Sequence, residues 1–343
     1  MLRADSDLAF ILRYENVAWY ENGAVRILDR RIYPIKTEFI TCRTHREVAQ
    51  ALTDMVTQSG GPYAAAGMGM ALAAYECRTM KADAQVSFLE QASETIATAR
   101  PTTVAKMRKY TQSALEAGKA AILAGENAVD AVFARALSDT DSRYRSYIQA
   151  GRYLAGKIPA GGTVLTQCWG ETIVGMMLRA CRENKNDIKV ICAETRPYFQ
   201  GARLTASCVR DMGFDVTVIS DNMPAYVMKK KKVDVFTSAA DVICMDGYIV
   251  NKIGTFQIAL AAHYWGIPYY VSGNPNRAHQ TISSVTIEER DPELVLYSLD
   301  TKVTMDGVKG YYPAFDITPP KFVSGVVTNK GIYSPYNLAA FEI

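Results

Sequence analysis

The run T-V-L-T-Q-C (Thr163 to Cys168) opens the stretch whose reading decides the fold, and that stretch extends to Thr255. Within it follow A-E-T-R-P-Y-F-Q-G-A-R-L-T-A (Ala193 to Ala206), S-D-N-M (Ser220 to Met223), A-A-D (Ala239 to Asp241) and N-K-I-G-T (Asn251 to Thr255). Short apolar runs each end in a polar cluster, and a helical pattern follows each time. That alternation specifies βαβ units and a parallel sheet. The spacing predicts strands near 163–167, 188–193, 214–219, 233–238, 241–244 and 267–272. Helices are predicted near 171–183, 201–212, 223–230 and 255–264. In such sheets ligands bind beyond the carboxyl ends of the strands. Cys168, Glu194, Arg196, Asp221, Asp241, Asn251 and Lys252 all fall at or just after such ends, which marks an enzyme site.

Outward from this stretch the pattern changes. The Gly-rich G-K-I-P-A-G-G (Gly156 to Gly162) marks a boundary and divides the chain into domains 1–157 and 158–343. Upstream, Glu21-Asn22-Gly23 between apolar runs predicts a hairpin in a small antiparallel piece. Thr44 and Glu47 form a capping-box pattern ahead of a helix that ends at Ser59-Gly60-Gly61-Pro62. Ala64 to Tyr75, rich in Ala, Gly and Met, suits close helix packing, with its methionines filling core gaps. Further helices are predicted near 80–97, 101–124, 126–138 and 140–156. Downstream of 274, I-E-E-R-D-P (Ile287 to Pro292) and P-A-F-D-I-T-P-P (Pro313 to Pro320) read as ordered loops, the prolines arguing against a central strand.

The totals narrow the classes. At 343 residues and 49% hydrophobic, the chain can bury a sizeable core and form two domains. A net charge of +3 is too mild to argue for a nucleic-acid partner. No apolar run approaches the roughly 20 residues of a membrane span, and the N-terminus lacks a signal-peptide core. Seven scattered cysteines without C-x-x-C fit a reducing cytoplasm better than a disulfide framework. The three histidines have no metal-ligand spacing, so no metal is expected. The glycines match neither G-x-G-x-x-G nor a P-loop, so no nucleotide cofactor is expected either.

Several side chains carry chemistry. Cys168 lies between a strand and a helix, where the helix dipole favours a thiolate; a buried structural cysteine is the competing reading. Asp241 sits among apolar residues, which would raise its pKa and suit a general acid, or it caps a strand end. Glu194, Arg196, Gln200 and Arg203 form a polar cluster, able to grip a phosphate or to hold their own loop. Asn251, Lys252 and Gly254 precede a helix whose N-terminus can hold an anion.

Taken together, E-T-R-P-Y-F-Q-G-A-R-L-T-A, Asp221-Asn222-Met223, N-K-I-G-T, I-E-E-R-D-P, P-A-F-D-I-T-P, the early L-D-R-R and the Arg100-Pro101-Thr102 step resemble the 5-methylthioribose-1-phosphate isomerase family. That superfamily also holds ribose-1,5-bisphosphate and 5-deoxyribose-1-phosphate isomerases and non-catalytic regulatory subunits of a translation-initiation exchange factor. The resemblance implies an α/β chain: a helical N-terminal domain, then a Rossmann-like domain, assembled as a homodimer. It implies an aldose–ketose isomerase acting on a small sugar phosphate, with Cys168 and Asp241 catalytic. Arg100, Gln200, Asn251 and Lys252 would fall at substrate- or phosphate-binding positions, with Glu194 and Arg196 alongside them. Two stretches depart from the family pattern. An R-G-A-P motif, whose arginine helps hold substrate, is replaced by Gln58-Ser59-Gly60-Gly61-Pro62. The usual Asn-Ala-Gly loop after the cysteine is replaced by Trp169-Gly170-Glu171.

Overall fold

Alternating apolar side chains and an Asn-Gly turn begin the chain as a small antiparallel sheet. In the computed structural model, which describes residues 3–100 and 104–342, one helical turn α1 (Tyr14–Val17) leads into β1 (Ala18–Glu21), β2 (Ala24–Leu28) and β3 (Phe39–Cys42). These strands lie in the order β1-β2-β3. Asn22 and Gly23 take φ values of 50° and 75°, the mirror-image turn that matches strand twist. Helices α2 (His45–Thr53), α3 (Gly61–Cys77), α4 (Ala82–Ala97) and α5 (Val104–Ala124) follow. Thr44 caps α2 by accepting from the Glu47 N–H at 3.2 Å. The predicted helix start at 101 lies outside the described residues.

Helix α3 is apolar on all sides because it runs through the core of this part, with Met68 and Met70 fully buried. Gly67 lets it approach α6 (Ala128–Ala155): a Cβ there would lie 2.8 Å from the Cβ of Ala136. The two helices expected near 126–138 and 140–156 are this one helix. The Thr140 hydroxyl donates to the Ala136 carbonyl at 2.9 Å within it. The chain forms two compact units, the first ending at Arg145 and the second beginning at Ser146. That division falls inside α6.

The second unit alternates as its sequence requires. Its elements are β4 (Thr163–Gln167), α7 (Glu171–Glu183), β5 (Lys189–Ala193), α8 (Ala206–Asp211), β6 (Asp215–Ile219), α9 (Pro224–Lys230) and β7 (Val235–Ala239). Then come β8 (Val242–Ile243), β9 (Ile249–Lys252), α10 (Thr255–Tyr264), β10 (Tyr269–Ser272), β11 (Tyr297–Ser298), β12 (Thr301–Lys302), β13 (Phe315–Thr318), β14 (Gly325–Val327) and β15 (Ile332–Tyr333). The main sheet runs β15-β14-β10-β7-β4-β5-β6, parallel throughout except for β15 at its edge. Counted along the chain from β6, its parallel strands stand in the order 3-2-1-4-5-6, so the winding reverses between β4 and β7.

Three differences from the sequence reading stand out. Phe315 to Thr318, read as loop, is β13, which pairs antiparallel with β9 at the edge of a three-stranded sheet, where flanking prolines are tolerated. The sixth parallel strand, β14, carries only Gly-Val-Val and went unread. The helix expected over 201–212 starts as a π-turn (Gly201–Thr205) before α8.

Replacing Gly67 by Leu should lower the unfolding free energy by about 1–3 kcal/mol through overpacking against α6. The urea midpoint of the full chain reads this directly. A variant as stable as the parent would mean that α3 and α6 do not need this close approach.

Candidate active site

The reversal of winding between β4 and β7 opens a crevice at their carboxyl ends. Cys168 follows β4 immediately and Asp241 lies two residues past β7. Cys168 turns the chain with φ 59°, a conformation that costs a non-glycine residue about 1–3 kcal/mol. Two threonines hold it there. The Cys168 N–H donates to Thr195 Oγ1 at 2.8 Å, and the Thr205 hydroxyl donates to the Cys168 carbonyl. Thr195 is itself at φ 66°, and its N–H donates to Asp221 Oδ1 at 2.7 Å while the Arg196 N–H donates to Oδ2 at 2.7 Å. Asp221 therefore anchors the loop that anchors the cysteine. Gly201 is needed beneath it, because a Cβ would meet the Ala193 carbonyl oxygen at 1.8 Å.

The end of β9 is tied to the same point. Gln167 Nε2 donates to the Lys252 carbonyl at 3.0 Å, and Asn251 Nδ2 donates to Thr255 Oγ1 at 3.0 Å. Lys252 is 4% exposed; its Nζ donates to Tyr312 Oη at 3.1 Å and lies 5.0 Å from the ring centre of Phe315. Arg290, from I-E-E-R-D-P, donates to Glu288 Oε1 at 2.8 Å and lies 5.4 Å from the same ring centre. Lys252, Asp241 and Arg290 act on the charge of Cys168, and Cys168, Arg290 and Asp241 act on that of Lys252. Burial pushes the Cys168 thiol up to about 11, reinforced by Asp241 and opposed by Lys252 and Arg290. Burial pushes Lys252 down, with Arg290 adding to the effect and Cys168 and Asp241 opposing it.

The thiolate expected from the helix dipole is thus corrected: desolvation outweighs the α7 N-terminus. Asp241 is exposed, so the apolar surroundings expected from its sequence neighbours are not its own. The Arg196 guanidinium donates to the Val295 and Tyr297 carbonyls at 3.2 and 2.6 Å, and that of Arg203 to the Tyr198 carbonyl at 2.6 Å. Both arginines tie loops, the role set against anion binding in the sequence reading. The N-terminus of α10 is occupied as well: the Gly254 N–H donates to Asp316 Oδ2 at 2.7 Å and the Phe256 N–H at 3.1 Å. Burial pushes that carboxyl up to about 6. Any anion beside Lys252 is therefore met by side chains and not by these amides. Glu194 is half-buried and raised, first by burial and then by Asp221. Arg100 is half-buried in the first unit, and Pro101 and Thr102 lie outside the described residues.

Three buried polar atoms near Cys168 in sequence or in the fold have no protein partner among the described residues: Gln200 Oε1, Trp169 Nε1 and Thr172 Oγ1. Orphaned buried groups of this kind fit a ligand's hydroxyls. Tyr312, Arg290, Thr195 and Thr205 were missed as site residues, although all but Tyr312 lie in stretches already singled out as motifs. Among the described residues no three His, Cys, Asp or Glu side chains cluster as metal ligands. No described helix is long and apolar enough to cross a membrane.

Fold and site define an α/β protein of parallel-sheet type with a cysteine, a buried lysine and an aspartate at its winding reversal. Residues 62–335 match the initiation factor 2 subunit family. A methylthioribose-1-phosphate isomerase of Fervidobacterium nodosum is 35% identical over 343 residues, covering 95% of this chain and 96% of that protein. One of Thermosipho melanesiensis is 34% identical over 326 residues, covering 90% and 92%. The crystal structure of 5-methylthioribose 1-phosphate isomerase from Pyrococcus horikoshii OT3 superposes with a TM-score of 0.85 at 28% identity, covering 95% of this chain and 94% of that one. The translation initiation factor eIF-2B subunit delta from A. fulgidus gives 0.79 at 31% identity, covering 93% and 96%. The chain belongs to the initiation factor 2 subunit family, in the branch that contains the methylthioribose-1-phosphate isomerases.

Lys252→Met should slow iodoacetamide alkylation of Cys168 at pH 9 by roughly 3- to 10-fold. Loss of the ammonium raises the thiol pKa further and depletes the thiolate by about tenfold per unit. Cys168 is half-buried where the other six cysteines are buried, so peptide mapping can follow it alone. An unchanged rate would show that Lys252 does not act on the thiol.

Proposed function

We propose that the chain is an aldose–ketose isomerase that converts 5-methylthioribose 1-phosphate to the corresponding ribulose 1-phosphate. The observation that carries this reading is that Cys168 and Asp241 lie just past the carboxyl ends of the two strands that flank the winding reversal, with buried Lys252 acting on the thiol's charge. The relatives' activity supports it.

The substrate's anomeric oxygen is esterified, so its ring cannot open as a free sugar's does. Asp241 donates a proton to the ring oxygen as the bond from that oxygen to C1 breaks. Its exposure in the free protein leaves the substrate itself to desolvate the carboxyl and raise its pKa. Hydrogen then moves from C2 to C1, and C2 becomes the carbonyl carbon. No external oxidant or reductant enters, because C2 is oxidised as C1 is reduced. In the enediol route Cys168 thiolate takes the C2 proton and a proton returns at C1. In the hydride route the hydrogen passes directly, and Cys168 polarises the C2 hydroxyl as that group loses its proton. A thiol held near 11 is protonated at neutral pH, which favours the second route unless a bound phosphate keeps Lys252 charged. Lys252 and Asn251 hold the phosphate, and the orphaned Gln200 carbonyl accepts from a sugar hydroxyl.

Ketose formation followed by NMR tests this with 5-methylthioribose 1-phosphate, 5-deoxyribose 1-phosphate and ribose 1,5-bisphosphate. Turnover of the first is expected, with Cys168→Ala and Asp241→Asn each losing roughly 10²- to 10⁴-fold in kcat. Turnover of only one of the other two would move the chain to the paralogous activity. No turnover in folded protein would favour a binding subunit, the reading that the likeness to the eIF-2B subunit keeps open.

A further inference from the structure

The second unit gives its buried lysine a hydrogen-bond partner that the mechanism above does not use. Lys252 ends β9, and β13 sets Phe315 across from it as its Cα partner. Just upstream of β13, Tyr312 turns inward and is buried, while its neighbour Tyr311 is exposed. The Arg290 N–H donates to the Tyr312 carbonyl at 3.0 Å and the Ala314 N–H to the Glu288 carbonyl at 2.8 Å, so I-E-E-R-D-P lies alongside as a further rung. These segments wall in the ammonium. Its Nζ donates to Tyr312 Oη at 3.1 Å and lies 5.9, 5.5 and 5.0 Å from the ring centres of Tyr198, Tyr312 and Phe315. Tyr198 and Tyr312 meet edge to face with centroids 6.2 Å apart.

A lysine buried this deeply ordinarily pairs with a carboxylate. Here the acids that bear on it are committed elsewhere or act at a distance. Glu288 accepts from Arg290 at 2.8 and 3.3 Å, and Asp316 accepts from the Gly254 and Phe256 amides at 2.7 and 3.1 Å. Asp241, Glu288 and the Cys168 thiol act on Lys252 through their charge, and Arg290 acts against them. The direct partner is a phenol. Burial pushes the Tyr312 hydroxyl up, with Arg290 opposing, so it stays neutral. A neutral acceptor holds an ammonium in place without cancelling its charge, as a carboxylate would. We propose that Tyr312 is a positioning residue: its phenol oxygen holds Lys252 Nζ between the aromatic faces and so governs how Lys252 acts on the Cys168 thiol and on a bound phosphate. The part that concerns phosphate rests on the function proposed above; the part that concerns the thiol does not.

The test times iodoacetamide alkylation of Cys168 at pH 9 in the full chain. Tyr312→Phe keeps the ring and removes only the hydroxyl. It should slow alkylation roughly 2- to 5-fold, because an ammonium without its acceptor gives up its proton at lower pH and supports the thiolate less. In a Lys252→Met background the same substitution should change nothing, which a merely structural role of Tyr312 would not produce. With 5-methylthioribose 1-phosphate, Tyr312→Phe should raise KM roughly 3- to 10-fold with a smaller change in kcat. The alkaline limb of kcat/KM should move to lower pH, since Lys252 loses its charge sooner. An unchanged alkylation rate in folded Tyr312→Phe, or an equal slowing with and without Lys252, would overturn the proposal. The expected alkylation pattern in a chain that turns over no sugar phosphate would instead strike only the isomerase reading.

Discussion

Two hydroxyl groups, those of Thr195 and Thr205, fix both ends of the Cys168 peptide, and the rest of the site is placed relative to that clamp. A β-branched residue at φ 66° and a cysteine at φ 59° are each unfavourable alone. They persist because Asp221 satisfies the two amides on the far side of the loop and Gly201 lets the π-turn close against Ala193. A π-turn opening a helix is a recurrent feature of functional sites, and here it brings the Thr205 hydroxyl onto the Cys168 carbonyl. The thiol leaves β4 where the sheet reverses its winding, so backbone strain and topology act at one position.

Electrostatics adds a second constraint. Burying an ammonium is expensive unless it is solvated by something else, and among the described residues the Tyr312 hydroxyl and three aromatic faces serve Lys252 for that purpose. Burial drives the thiol up and the amine down, so the free site tends toward neutrality at both groups. A bound phosphate reverses this preference for Lys252, and a charged Lys252 in turn favours the thiolate. Asp316 contributes by occupying the α10 amides, which leaves side chains as the counter-charge for an anion near Lys252.

Much of this was legible. The strand at Thr163–Gln167 and the helices at Glu171–Glu183 and Thr255–Tyr264 follow directly from periodicity and polar punctuation. Cys168 stood out because of where its strand ends, and it is the half-buried cysteine among six buried ones. The misreadings have separate physical causes. β14 carries three residues and takes its strand character from pairing with β10, a tertiary effect no short window contains. The helices expected near 126–138 and 140–156 are one because α6 runs unbroken through Asp139, which carries no glycine or proline signal to end it. The sign of the Cys168 shift was misjudged because a dipole can be inferred from chain position, whereas desolvation depends on residues from distant segments.

The same distinction bears on whether the chain is catalytic. Loss of an arginine from the segment at Gln58 to Pro62 reads, in one dimension, as decay of a site. In three dimensions Arg143 stands at that segment, and Thr57 and Gln58 keep buried donors that no protein atom satisfies. The second unit repeats the pattern with Gln200, Trp169 and Thr172. An unsatisfied buried polar group costs about 1–3 kcal/mol, so a chain relieved of ligand binding gains stability by replacing such groups with apolar ones. A subunit with a purely architectural role has no physical reason to keep Gln200, Trp169 and Thr172 unsatisfied in the unit that carries the strained cysteine. A protein that completes those hydrogen bonds with a phosphorylated, hydroxyl-rich ligand does.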